Sequence, residues 1–245
     1  MIRTVRSLVS TVIVLLCLVW LFYVGLWGFD IRTHRPWKAE GSRWAGAYGE
    51  AVRFYPMAAT ALVSGFRGLA ADLLWLKADS YWHHGQWHRL LPLYQLIVTI
   101  QPRFTLVWSM GGWHMAYNLS EMARRNPNCS PAQRIQEARS WMDKGILFLQ
   151  EGLKYNKDKP DLYFDLGWTY FDKVRDYVTA IPYLEEAARK HDSMQSNKTL
   201  AHAYEKVGRY ADALRMWESL DTRGDRVAKK FISALKQEMA NEVRR

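Results

Sequence analysis

The residues Pro160 to Tyr170 read Pro-Asp-Leu-Tyr-Phe-Asp-Leu-Gly-Trp-Thr-Tyr, and they open the stretch to Leu220 that decides the fold. Leu166, Gly167 and Tyr170 are followed by Ala180, Leu184 and Ala187, then by Leu200, Ala201, Tyr204, Gly208, Tyr210, Ala213 and Trp217. Gly167 and Ala201 stand 34 residues apart. Small residues returning at that period, with aromatics between them, mark helical hairpins stacked on one another. Glycine and alanine let neighbouring helices approach closely, and the aromatics fill the volume that remains.

This pattern resembles the tetratricopeptide repeat (TPR). That family sets an aromatic at position 4, Leu at 7, Gly at 8, an aromatic at 11, Gly at 15, an aromatic at 17 and Ala at 20 and 27. Phased backwards, a copy beginning at Ala71 has Ala78, Tyr81, Gly85, Trp87, Tyr94 and Pro102 in register. Another beginning at Thr105 has Trp108 and Gly112. The expected fold is therefore all-α, a TPR-type solenoid over residues 54–225 with repeats near 71–104, 105–159, 160–193 and 194–225. An amphipathic helix in 226–245, with Val227, Phe231, Leu235 and Met239 on one face, is expected to cap it.

Two repeats depart from the pattern. In the second, the small residue due at position 20 arrives only at Gly145, which predicts two lengthened helices forming a finger. Its turn, Arg124 to Pro131, offers Ser130 as N-cap and Pro131 at the first helical position. The third repeat carries one extra residue between Tyr170 and Ala180, expected in its turn.

Upstream, a short tail (1–7) precedes Leu8–Phe29, 22 residues without a charge. At 1.5 Å per residue this run spans a hydrocarbon core of about 30 Å. It exceeds the apolar part of a cleaved signal peptide, and no small-x-small site follows it directly. A single transmembrane anchor is expected, with the bilayer as partner through residues 8–29. Arg3 and Arg6 before the run barely discriminate against Arg32, Arg35, Lys38 and Arg43 after it, so the short N-terminus sets the expected orientation: large domain on the extracytoplasmic side, periplasmic if the source is bacterial. Residues 30–53 read as a linker beside the membrane. Phe54 to Leu76 is apolar but holds Arg67 and Asp72, which suits a helix lying on the bilayer or leading into the repeats better than a second span.

The net charge is +10, with seven Lys/Arg against three acidic residues in 1–53 and no long basic run beyond. With an anchor present, this balance fits anionic lipid or an acidic partner, and no nucleic acid is expected. Cys17 and Cys129 make no disulfide framework. No P-loop, GxGxxG, GxSxG or HExxH occurs, so no enzyme and no cofactor is expected. His83, His84 and His88 cluster, with His84 and His88 at helical spacing. They are weak metal or haem candidates without a nameable third ligand.

The resemblance implies that the first helix of each repeat lines a concave groove. The positions so implied are Trp75, Asp79, Trp82, His83, Leu106, Trp113, Tyr117, Phe164, Trp168, Phe171, Lys198 and His202. Trp75 and Asp79 stand where some family members place the lysine and asparagine of a carboxylate clamp, so that activity is not expected. The aromatic content points to binding of other proteins, as peptide or helical segments. The expected role is a scaffold or assembly factor for a membrane or envelope complex. The alternative is a permanent accessory subunit of such an assembly.

Overall fold

The computed structural model describes residues 66–242, apart from the side chains of His88 and Glu242. The anchor expected at 8–29, the linker at 30–53 and the last three residues lie outside the described residues. Among the described residues no helix is long and apolar enough to cross a membrane.

All regular elements among the described residues are helical, and they form a row of helical hairpins. Helices α1 (Arg67–His83) and α2 (Trp87–Ile100) make the first hairpin. In the second, α3 (Thr105–Trp113) passes through a π-helical segment (His114–Leu119) into α4 (Ser120–Arg124) and returns as α5 (Pro131–Tyr155). Helix α6 (Pro160–Trp168), its π-helical extension (Thr169–Val174) and α7 (Tyr177–Lys190) make the third. Helices α8 (Met194–Lys206) and α9 (Tyr210–Thr222) make the fourth, and α10 (Ala228–Glu242) follows alone.

Hairpins two and three stack through their first helices, α3 on α6, with the two π-helical segments touching; elsewhere α2 packs on α3, α7 on α8 and α9 on α10. The small residues act as their spacing implied. A Cβ on Gly167 would meet Leu184 Cγ at 2.6 Å, so α6 and α7 close only over a bare glycine. A Cβ on Gly145 would stand 2.8 Å from the Gly112 carbonyl oxygen and 2.9 Å from the Ala116 backbone nitrogen.

Helix α5 is the long arm of the finger, 25 residues or about 37 Å. It packs along α3, the π-helical segment and α4 in turn. Ser130 caps it: its hydroxyl accepts from the Gln133 amide at 3.3 Å, Gln133 Oε1 accepts from the Ser130 amide at 2.9 Å, and Pro131 begins the helix. At its other end Asn156, 1 % exposed, donates Nδ2 to the Pro102 and Gly152 carbonyls, both at 2.9 Å. Pro102 also accepts from Trp108 Nε1 at 2.8 Å, which fixes the α2–α3 turn against the finger.

The π-helical segments begin at corresponding places, nine residues after the starts of α3 and α6. A π turn accommodates one residue more than an α turn. In the third repeat the supernumerary residue is thus absorbed inside the first helix, which widens at Thr169–Val174, rather than in the turn as the sequence suggested. Arg175 closes the segment with a φ of 63°, in the left-handed region.

The last hairpin and α10 share one core. Trp217 is fully buried there, its ring 4.3 Å from that of Phe231 and nearly parallel to it, with Leu220, Ala228 and Leu235 around it. The Trp217 indole donates to Glu205 at 2.5 Å.

Candidate inner-face site

The inner face expected from the sequence is that of the first helices, and along it α3 packs on α6. On α3, Leu106 and Trp113 are 48 % and 43 % exposed, seven residues apart on one face. Trp113 lies 6.2 Å from Tyr117 in a stacked arrangement, and the Lys173 ammonium sits 4.7 Å above the Tyr117 ring. That contact joins the two π-helical segments. On α6 and its extension, Trp168 stacks between Phe164 (6.3 Å) and Phe171 (5.8 Å). Phe164 and Phe171 also rest against the core that α7 shares with the fourth hairpin, so they support the face more than they present it.

The first hairpin contributes packed aromatics. Trp75 is half-buried against Tyr94 (5.9 Å) and Phe104 (6.0 Å). Trp82 meets Trp87 edge-on at 4.0 Å, His114 at 3.9 Å and Trp113 at 6.1 Å. Asp79 and His83 are exposed and 3.4 Å apart, and His83 Nδ1 also approaches the Asp79 carbonyl at 2.9 Å.

At the fourth hairpin the inner positions are engaged. Lys198 pairs with Asp225. His202 Nδ1 lies 3.2 Å from Glu205, and its ring meets Trp217 and Phe231 edge-on at 5.0 and 4.8 Å. The segment before α10 holds Lys198 through Asp225, and α10 holds His202 through Phe231. The open part of the inner face lies on α3 and α6.

Among the described histidine side chains, His114 is the buried one; the sequence offered it only as a guessed third ligand to the His83–His88 cluster. It is 1 % exposed, ringed by Trp82, Trp87, Tyr94 and Trp113. Its Nδ1 accepts from Asn118 Nδ2 at 2.9 Å, which puts the proton of the neutral ring on Nε2. Nε2 has no hydrogen-bond partner. Burial holds its pKa down at about 4. Its neighbours come from α1, α2 and α3, so no local motif announces it. His84 is exposed with Nδ1 2.7 Å from the Ser80 carbonyl, and the His88 side chain lies outside the described residues. No group of three or more His, Cys, Asp or Glu among the described residues is arranged to hold a metal ion.

Asp165 is half-buried. It sits where α6 faces α3, beside Ser109. Burial pushes its carboxyl up to about 6, the Ser109 hydroxyl pulls it part of the way back, and Asp161 adds to the rise.

These two groups act on stability with opposite signs. The folded state binds the Asp165 proton more tightly than the unfolded state does, so its contribution grows as pH falls through about 6. The folded state binds a proton at His114 less tightly, so its contribution is full above 6.5 and is lost as pH falls towards 4. The wild-type stability is therefore expected to change little between pH 6 and 4.5 on their account. Asp165→Asn removes one side of the balance. It should stabilise the protein at pH 8 by about 2 kcal/mol and leave a profile that falls on acidification. Urea unfolding of both proteins at pH 4.5, 6 and 8 reads this directly; a variant equal to wild type at pH 8 contradicts the burial assigned to Asp165.

No family model matches the chain, and no curated protein matches it. Among solved structures it is similar to a thermophilic TPR protein of Thermus thermophilus, at 15 % identity and a TM-score of 0.48 over 79 % of this chain and 98 % of that one. It is also similar to the MamA RS-1 ArsTM double mutant, at 11 % identity and a TM-score of 0.43 over 82 % of this chain and 98 % of that one.

Proposed function

We propose that this chain is a membrane-anchored scaffold or assembly factor that holds a segment of a partner membrane protein against the inner face of α3 and α6. The observation that carries the reading is the exposure of Trp113 and Leu106 on that face, 43 % and 48 %, while most of the other aromatics around them are packed. Tryptophan left half in water on a rigid helix is the residue type that dominates binding energy at protein interfaces. The face is rigid for a stated reason: the finger grips α3 through Gly112 and Gly145, and Lys173 ties the two π-helical segments together. A preorganised surface loses little freedom on binding. The anchor at 8–29 confines the protein to the plane of its partners, which raises their effective concentration without any added contact.

The test is the pair Trp113→Ala and Leu106→Ala, made together in the full chain and purified from native membranes in mild detergent. Partner recovery should fall about thirtyfold, the weight of a 2 kcal/mol hot spot. Because both side chains are half-exposed, the free protein should lose only about 1 kcal/mol of stability. Unchanged partner recovery, or collapse of the fold, would count against docking at this face.

A further inference from the structure

Helix α1 has two apolar faces. One holds Ala70, Ala71, Leu74, Ala78 and Tyr81, all buried. The other holds Phe66, Leu69, Leu73 and Leu76 at spacings of three and four residues, so they form one stripe along the helix. Phe66, Leu69 and Leu76 are 48 %, 49 % and 63 % exposed, and Leu73 is half-buried. An apolar stripe of this kind on a water-facing surface calls for an occupant.

We infer that this stripe lies in the interface of a lipid bilayer, as a helix resting on the membrane. The inference rests on the reading of residues 8–29 as a span. Three observations favour lipid over protein. Phe66 is the last residue of an uncharged run that begins at Phe54, so the apolar character of the stripe continues up the chain for 13 residues. Between that run and the uncharged Leu8–Phe29, residues 30–53 hold five Lys/Arg against three acidic residues, the charge balance that anionic headgroups attract. The stripe itself is leucine with one phenylalanine. Leucine is under-represented among the residues that drive protein interfaces, and it is common on helices that lie in membrane interfaces. The contrast with Trp113 on the inner face is one of chemistry: one surface suits a folded partner, the other suits acyl chains.

Reach is not an obstacle. Phe29 and Phe66 are 37 residues apart, and a tether of that length keeps α1 close enough to the bilayer for a weak interfacial contact to be occupied.

The experiment places single cysteines in the full chain, with Cys17 and Cys129 replaced, and labels them with an environment-sensitive fluorophore in nanodiscs containing anionic lipid. Leu69→Cys and Leu76→Cys report on the stripe and Trp20→Cys on the anchor. Val178→Cys, on α7 and 71 % exposed, serves as the aqueous reference. The expected result is blue-shifted emission, quenched by lipids carrying a spin label near the headgroup, at positions 69, 76 and 20 but not at 178. Quenching at 20 alone overturns the membrane contact of α1 while leaving the anchor in place. Blue-shifted emission at 69 and 76 without lipid quenching means that protein covers the stripe, either this chain or another, and also overturns it. No quenching at 20, 69 or 76 overturns both the anchor and the contact.

Discussion

Trp217→Ala is expected to lower the stability of the repeat domain by about 4 kcal/mol, the usual cost of emptying a buried tryptophan site. The side chain is fully buried, stacks on Phe231 and donates its indole N–H to Glu205. Alanine there removes the largest fully buried side chain, leaves a cavity between α9 and α10, and takes away a hydrogen bond that Glu205 now receives in a half-buried setting. At two to four degrees per kcal/mol for a domain of this size, Tm should fall by roughly 10 °C. Because stacked repeats depend mainly on nearest neighbours, the loss should begin at the C-terminal end. Hydrogen exchange should therefore rise first in α9 and α10 and last in α3 and α5. Trp217→Phe keeps an aromatic ring against Phe231 but loses the bond to Glu205 and part of the packed volume, so it should cost less than alanine, about 2 kcal/mol. Uniform loss of protection along the chain would contradict the stacked, locally coupled packing of this end.

Gly145→Ala tests the finger. Inside an exposed helix this change stabilises by about 1 kcal/mol, since alanine is the better helix former. Here the new methyl would meet the Gly112 carbonyl oxygen at 2.8 Å and the Ala116 nitrogen at 2.9 Å. Those are backbone atoms of the facing helix, and they cannot rotate away. Helices α3 and α5 must separate, which loosens Leu149 and Phe148 against Gly112 and Gly111 as well. Overpacking of this kind outweighs the propensity gain, and a net loss of about 2–3 kcal/mol is expected in urea unfolding. Gly68→Ala is the control: a Cβ there meets nothing within 4 Å, so the protein should be unchanged or slightly stabilised. If both glycines respond alike, the close approach at Gly145 is not real.

The stacked-hairpin architecture could be read from the sequence because it is encoded locally. Gly167 and Ala201 mark close helix crossings, and a glycine or alanine at a fixed period leaves few alternatives. The capping box Ser130–Gln133 and Pro131 at the start of α5 follow from similar local chemistry. The π-helical segments were not legible, because a widened turn changes neither composition nor capping. The extra residue of the third repeat was visible, but its placement depends on how α6 meets α3. His114 could be named only as a guessed ligand for a related reason. A solitary histidine says nothing until Trp82, Trp87 and Tyr94 arrive from two other helices to enclose it. Lys198 and His202 were placed in the groove by repeat position alone, and the contacts of Asp225 and Phe231 with them could not be foreseen before the course of α10 was known. Leu106 and Trp113, by contrast, are half-exposed on α3.

The central claim is that the inner face at α3 holds a partner. Its most direct test is a photo-crosslinking amino acid placed at Trp113 in the full chain, irradiated in native membranes, with the same group at Val178 on α7 as reference. One discrete, size-defined adduct is expected from position 113, absent from position 178 and lost when Leu106 is also replaced by alanine. Adducts equal at the two positions, or found only from 178, would contradict it.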